Sequence, residues 1–258
     1  MINSLQIPEV AGLAFLLVFL VLWAAYTLRE RAKAEHQRTE DDLRPILAFE
    51  RLRRAVNLVV EAGQQMHVSL GDGVLNGMQA ASALAGLQAL GRILRRAGLS
   101  DRPIIATSGD GAIGVLSQDT IQAASSETGA IEELAASTGQ VSGLTPFSYA
   151  AGTMQLIEEQ QVQSNFLVGH FSSEVGLVLE AGERADSLTI GGSEDLLAQS
   201  ILFAGADEPL LGEELFASGT YLGAGPAHLA SLRVQDWLRW ALAGVILIGA
   251  VLKLARLW

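Results

Sequence analysis

An uninterrupted apolar run lies near each end of this chain, with about two hundred residues between them, and this constrains the fold more than any other feature. The first extends from Val10 to Leu28, with no charged residue until Arg29. The second extends from Trp240 to Leu252, bounded by Arg239 and Lys253. A hydrocarbon slab of roughly 30 Å takes about 20 apolar helical residues, and both runs approach that length. The expectation is a retained helix at 10–28, a juxtamembrane connector at 29–63, an acidic soluble domain at 64–232, and a second membrane helix at 237–257. The middle of the chain then sits on one side of a bilayer.

Arg29, Arg31, Lys33 and Arg38 follow the first run, whereas Glu9 is the only charge before it. The positive-inside rule places that basic flank, and with it the soluble domain, in the cytoplasm. Trp23 and Tyr26 sit at the inner end of the first run. Trp237, Trp240 and Trp258 bracket the second, as interfacial aromatics do.

Charge is segregated along the chain. The net charge is -11, and no lysine occurs between Lys33 and Lys253. From Pro103 to Leu232 the only lysine or arginine is Arg184, against 17 Asp and Glu. Nucleic-acid affinity comes largely from Lys and Arg neutralising phosphates, so a nucleic-acid partner is excluded. The lysine of a phosphate-binding loop is missing as well. There is no cysteine, which removes disulfides, zinc thiolates, iron–sulfur clusters and thiol nucleophiles from the chemistry of this chain.

From Gln65 onward, short apolar runs end in Gly-rich acidic turns and are followed by helical patterns. Met66–Leu70 meets Gly71-Asp72-Gly73, and Pro103–Thr107 meets Ser108-Gly109-Asp110-Gly111. Phe166–Val168 meets Gly169-His170, Leu188–Ile190 meets Gly191-Gly192-Ser193-Glu194-Asp195, and Ile201–Phe203 meets Gly205-Ala206-Asp207. Continuous apolar strands, glycine turns and acidic caps repeated in this way specify an α/β fold with a mostly parallel, open, Rossmann-like sheet. Strands are expected near 65–70, 103–107, 166–170, 187–191 and 200–204. Helices are expected over Val74–Ala97, from Gly111 to about Thr128, over Glu132–Thr138 and over Thr145–Gln163.

Ligands of open parallel sheets bind beyond the carboxyl ends of the strands. The candidate binding residues are therefore Ser69, Gly71, Asp72 and Gly73 in one turn, with Ser108, Gly109, Asp110 and Gly111 in the next. Asp72 and Asp110, joined by Glu174, Asp195 and Asp207 on one edge, are candidate oxygen ligands for Mg²⁺ or Ca²⁺. Helix capping explains each acid equally well. His67, His170 and His228 lack ligand spacing and read as structural histidines, and no Gly-x-Ser-x-Gly elbow accompanies His170.

The two Gly-Asp-Gly units, the stretch Pro146–Gln163, the segment Gly169-His170-Phe171-Ser172-Ser173-Glu174 and Val234-Gln235-Asp236 resemble a bacterial membrane family of unknown function with two terminal anchors. The resemblance spans nearly the whole chain and implies architecture without activity. The expected function is a membrane-tethered binding or scaffold protein, in contact with membrane lipid and assembled with itself or with a membrane complex. The alternative is a divalent-cation-dependent enzyme or ligand sensor working at the Gly-Asp-Gly turns.

Overall fold

The computed structural model describes residues 6–34, 44–77, 79–97, 102–129, 138–223 and 226–254. They form two units, one containing the terminal helices and the other spanning Arg44–Gly223.

In the first unit, α1 (Gln6–Ala34) packs against α9 (Pro226–Leu254). Among the described residues one helical stretch, Ala230–Val251, is long and apolar enough to cross a membrane. The apolar stretch recognised in α1 is shorter, Leu16–Arg29.

The second unit alternates strands and helices. After α2 (Leu47–Ala62) come β1 (Met66–Gly71), α3 (Ala80–Arg96), β2 (Ile105–Ser108) and α4 (Gly111–Thr128). Next are β3 (Thr138–Val141), α5 (Pro146–Glu159), β4 (Ser164–His170), α6 (Val175–Arg184) and β5 (Leu188–Gly192). The unit closes with α7 (Leu196–Gly205), β6 (Glu208–Leu210) and α8 (Glu214–Tyr221). All six strands are parallel, in the order β3-β2-β1-β4-β5-β6. This doubly wound order reverses direction between β1 and β4, and in open sheets of this kind ligands bind beyond the carboxyl ends at such a switch point.

Helices cover both faces of the sheet, which is why its central strands are buried along their length. Met66, Val68, Leu70, Phe166 and Val168 share one core with Phe49, Leu52 and Val56 of α2 and Leu90, Ile93 and Leu94 of α3. The segment read as a juxtamembrane connector thus places α2 in that core. Ile105 and Leu167 meet Tyr149 and Ile157 of α5, Val178 of α6 and Leu202 of α7 on the other face.

Four sequence expectations change. Residues 200–204 are helical, not a strand, because Ala198 and Leu202 are buried one helical turn apart while Phe203 is 67% exposed. The sixth strand is Glu208–Leu210, so Asp207 precedes its strand and lies at the amino edge, accepting the Thr189 N–H at 2.8 Å. Val74–Gly77 is an irregular loop, and the helix expected from Val74 begins at Ala80. The helix expected over Glu132–Thr138 falls outside the described residues as far as 137, and at Thr138 the expectation fails, because Thr138 opens a short edge strand.

Candidate functional site

At the switch point β1 and β4 come unusually close. Gly71 has φ +73°, and a Cβ there would overlap the His170 carbonyl. A Cβ at Gly169 would overlap the carbonyl of Leu70. The Asp72 N–H donates to the His170 carbonyl at 3.0 Å, and the Gly109 N–H donates to the Gly71 carbonyl at 2.8 Å. A Cβ at Gly109 would stand 2.6 Å from that of Asp72, and one at Gly73 would stand 2.8 Å from that of His170. Glycine at these positions lets the turns after β1, β2 and β4 converge.

The two aspartates play different parts. Asp110 is the N-cap of α4, its Oδ1 accepting the N–H groups of Ala112 at 2.9 Å and Ile113 at 3.0 Å. Asp72 caps no helix. Its Oδ1 is buried with no hydrogen-bond partner among the described residues. Burial, then the nearby Glu174, holds its carboxyl above the usual carboxylate range, with His170 opposing.

Both serines are engaged by other partners. Ser69 is fully buried and hydrogen-bonded to the Tyr149 hydroxyl, and Ser108 donates to the Asp110 carbonyl at 3.2 Å. Glu174 is buried and closes its own turn, its Oε1 accepting the Ser172 N–H at 2.7 Å. Asp195 caps α7 through the Ala198 N–H at 2.9 Å.

His170, read from the sequence as a structural histidine, pairs here with Glu194, which was not among the candidate residues. His170 Nδ1 lies 2.7 Å from Glu194 Oε1, and Nε2 lies 2.9 Å from the Gln79 amide nitrogen. In this arrangement Nδ1–H donates to Glu194 and Nε2 accepts from Gln79. The hydrogen bond to Glu194 raises the imidazole pKa, with burial opposing it. Glu194 Oε2 is a second buried carboxylate oxygen without a partner among the described residues. The usable signal was positional: each residue ends or follows one of two strands that became parallel neighbours.

Beneath these turns runs a buried polar chain. His67 Nδ1 meets Asn165 Oδ1 at 2.7 Å, and Nε2 meets the Thr107 hydroxyl at 2.8 Å. Thr107 continues to the Tyr149 hydroxyl at 3.1 Å, which also accepts the Gly71 N–H at 3.3 Å. Burial drives His67 down to about 4, so its ring is neutral at physiological pH. The structural reading of His67 agrees with this setting, since the residue is fully buried and both ring nitrogens have partners.

Among the described residues no group of three or more His, Asp or Glu side chains is placed to hold a metal ion. An open polar hollow of about 560 Å³, lined by Glu158, Gln161, Gln163 and Arg184, lies at the amino edge instead. Arg184 is already engaged there by Glu180 at 2.5 Å and Glu158 at 3.8 Å. That hollow contains none of the candidate residues.

The strand order and the grouping of Asp72, His170 and Glu194 define a doubly wound α/β protein with an acidic, histidine-containing switch point. The chain belongs to the family described as a domain of unknown function, DUF6754, whose model matches residues 5–257. No curated protein and no solved structure matches it.

Proposed function

We propose that this is a membrane-tethered binding protein whose α/β unit receives a positively charged group at the β1–β4 switch point. One observation carries the reading: Asp72 Oδ1 and Glu194 Oε2 are both buried and unpartnered around His170. A buried polar atom left unpaired costs about 1–3 kcal/mol, more when charged, and a cationic ligand group relieves that cost. The edge lacks the Lys and Arg that an anion requires.

The tether rests on exposed apolar surface. On α9, Trp240 is 77% and Val245 67% exposed, and on α1 Leu13 is 68% exposed. A lipid phase accounts for such helices better than water does. Both terminal helices are read as membrane helices, as in the two-anchor family the sequence resembles. The Arg29 flank puts the α/β unit on the cytoplasmic side. Small residues such as Gly12, Ala241 and Gly244 suit packing with a second copy or a membrane complex. Protease added to sealed cells will spare residues 103–232, and their cleavage from outside would reverse the orientation.

The binding reading is tested by melting the detergent-purified full chain with agmatine, MgCl₂ or CaCl₂. Agmatine is expected to raise the melting temperature of wild type and not of the Asp72→Asn, Glu194→Gln double variant. Equal responses of the two proteins would remove the reading. A Mg²⁺ or Ca²⁺ response lost in the Asp72→Asn, Asp110→Asn variant would establish the divalent-cation alternative in its place.

A further inference from the structure

We infer that the carboxyl edge of the sheet is a docking surface for a basic, apolar-flanked segment of a partner protein. The inference rests on the cation-binding reading and names the molecule that brings the cation.

Apolar side chains flank the acidic centre on the α5–α6–α7 face. Leu144 is 76% and Phe147 63% exposed, where α5 begins. Leu196 is 78% and Leu197 53% exposed, at the first two positions of α7. Helix α6 packs against both α5 and α7, so the His170–Glu174 turn that leads into it lies between the two apolar pairs. Large exposed apolar groups on either side of a polar centre suit a protein partner.

Charge selects the partner. The edge segments 72–77, 109–111, 142–145, 171–174 and 193–195 contain Asp72, Asp110, Glu174, Glu194 and Asp195 and no Lys or Arg. Arg184, the one such residue between Pro103 and Leu232, ends α6 at the opposite edge, paired with Glu180. Anionic lipid and phosphate are repelled by this edge. A free metal ion lacks a ligand group among the described residues, and a small organic cation leaves the apolar pairs uncovered. A protein segment with Arg or Lys between apolar side chains satisfies both features: its cation enters beside Asp72 and Glu194, and its flanks cover Phe147 and Leu196. Such an arrangement places a charged hot spot inside an apolar surround.

The test uses the full chain in detergent and a fluorescent Leu/Arg peptide, compared with a Gly/Arg peptide of equal charge. The Phe147→Ser, Leu196→Ser variant and, separately, Glu194→Gln are each expected to weaken Leu/Arg binding about tenfold, and Gly/Arg is expected to bind about tenfold more weakly. The amino-edge variant Glu158→Gln, Glu183→Gln is expected to bind as wild type. Melting temperatures of the exposed rim variants check that they fold. Equal binding of the two peptides, or equal loss in the amino-edge variant, overturns the inference by reducing it to bulk charge. Sedimentation showing a wild-type oligomer abolished by the rim variant also overturns it, because the occupant is then a second copy. A wild-type response to agmatine without Leu/Arg binding overturns the docking inference alone, and absence of both responses overturns the cation reading too.

Discussion

His67 gives the sharpest quantitative prediction. Its ring titrates at about 4 in the folded protein against 6.5 for the free side chain, because burial disfavours the imidazolium. The unfolded chain therefore takes up the proton first as pH falls. The stability tied to the neutral ring is fully present above pH 6.5 and is lost as pH drops through the folded value. Between pH 7.5 and pH 5.0 the linkage amounts to about 2 kcal/mol. For a unit the size of Arg44–Gly223 that is a fall in Tm of about 4–8 °C. His170 and Asp72 titrate upward-shifted and favour the folded state on acidification, so the comparison must be a difference between proteins. His67→Gln keeps an amide to face Asn165 and Thr107 but removes the proton site. Melts of the detergent-purified chain followed by far-UV circular dichroism are expected to show wild type losing about 2 kcal/mol more than His67→Gln over this pH range. Parallel pH profiles for the two proteins would refute the assignment of a neutral, buried His67.

Three further outcomes follow from the geometry. Gly86→Ala is expected to destabilise by about 1–2 kcal/mol despite better helix propensity, because its Cβ would lie 2.5 Å from the Val168 carbonyl oxygen; Gly91→Ala in the same helix meets only Thr120 and Arg95 side-chain atoms at 3.2 and 3.4 Å and is expected to be neutral or up to about 1 kcal/mol stabilising in thermal melts. Asp110→Ala is expected to cost about 1 kcal/mol by stripping the cap from α4 and to leave the agmatine response unchanged, and loss of that response would move Asp110 into the site. Glu194→Gln is expected to lower the His170 pKa, read by NMR of labelled histidines with His170→Gln for assignment, since the Glu194 hydrogen bond is the main cause of its elevation. The stability His170 contributes below pH 6.5, which fades as pH rises through its raised folded value, should flatten in the same variant.

Much of the architecture was readable because it is specified locally. Apolar runs closed by glycine and an acidic cap identify a strand that turns into a helix, and β1, β2, β4 and β5 arise near the positions such runs mark. Where the local signal is ambiguous the reading changed. Ile201-Leu202-Phe203 fits a strand or a helix equally well over three residues, and burial of Ala198 with Leu202 decides for the helix. Thr138-Gly139-Gln140-Val141 has little apolar content, yet it pairs with β2 as an edge strand because edge positions tolerate polar residues.

The sequence by itself determined the apolar ends, the lysine-free acidic middle and the alternation of parallel strands with helices, all properties of contiguous residues. Only tertiary structure distinguished Asp110, spent on capping, from Asp72, half-buried with one buried oxygen unpartnered, although both occupy Gly-Asp-Gly turns. Only strand order brought His170 to Glu194, 24 residues apart in the chain, and placed both beside Asp72. The reason is physical: a turn pattern depends on dihedral preferences within a few residues, whereas proximity across a parallel sheet depends on which strands pair, a choice made by helices packing on both faces.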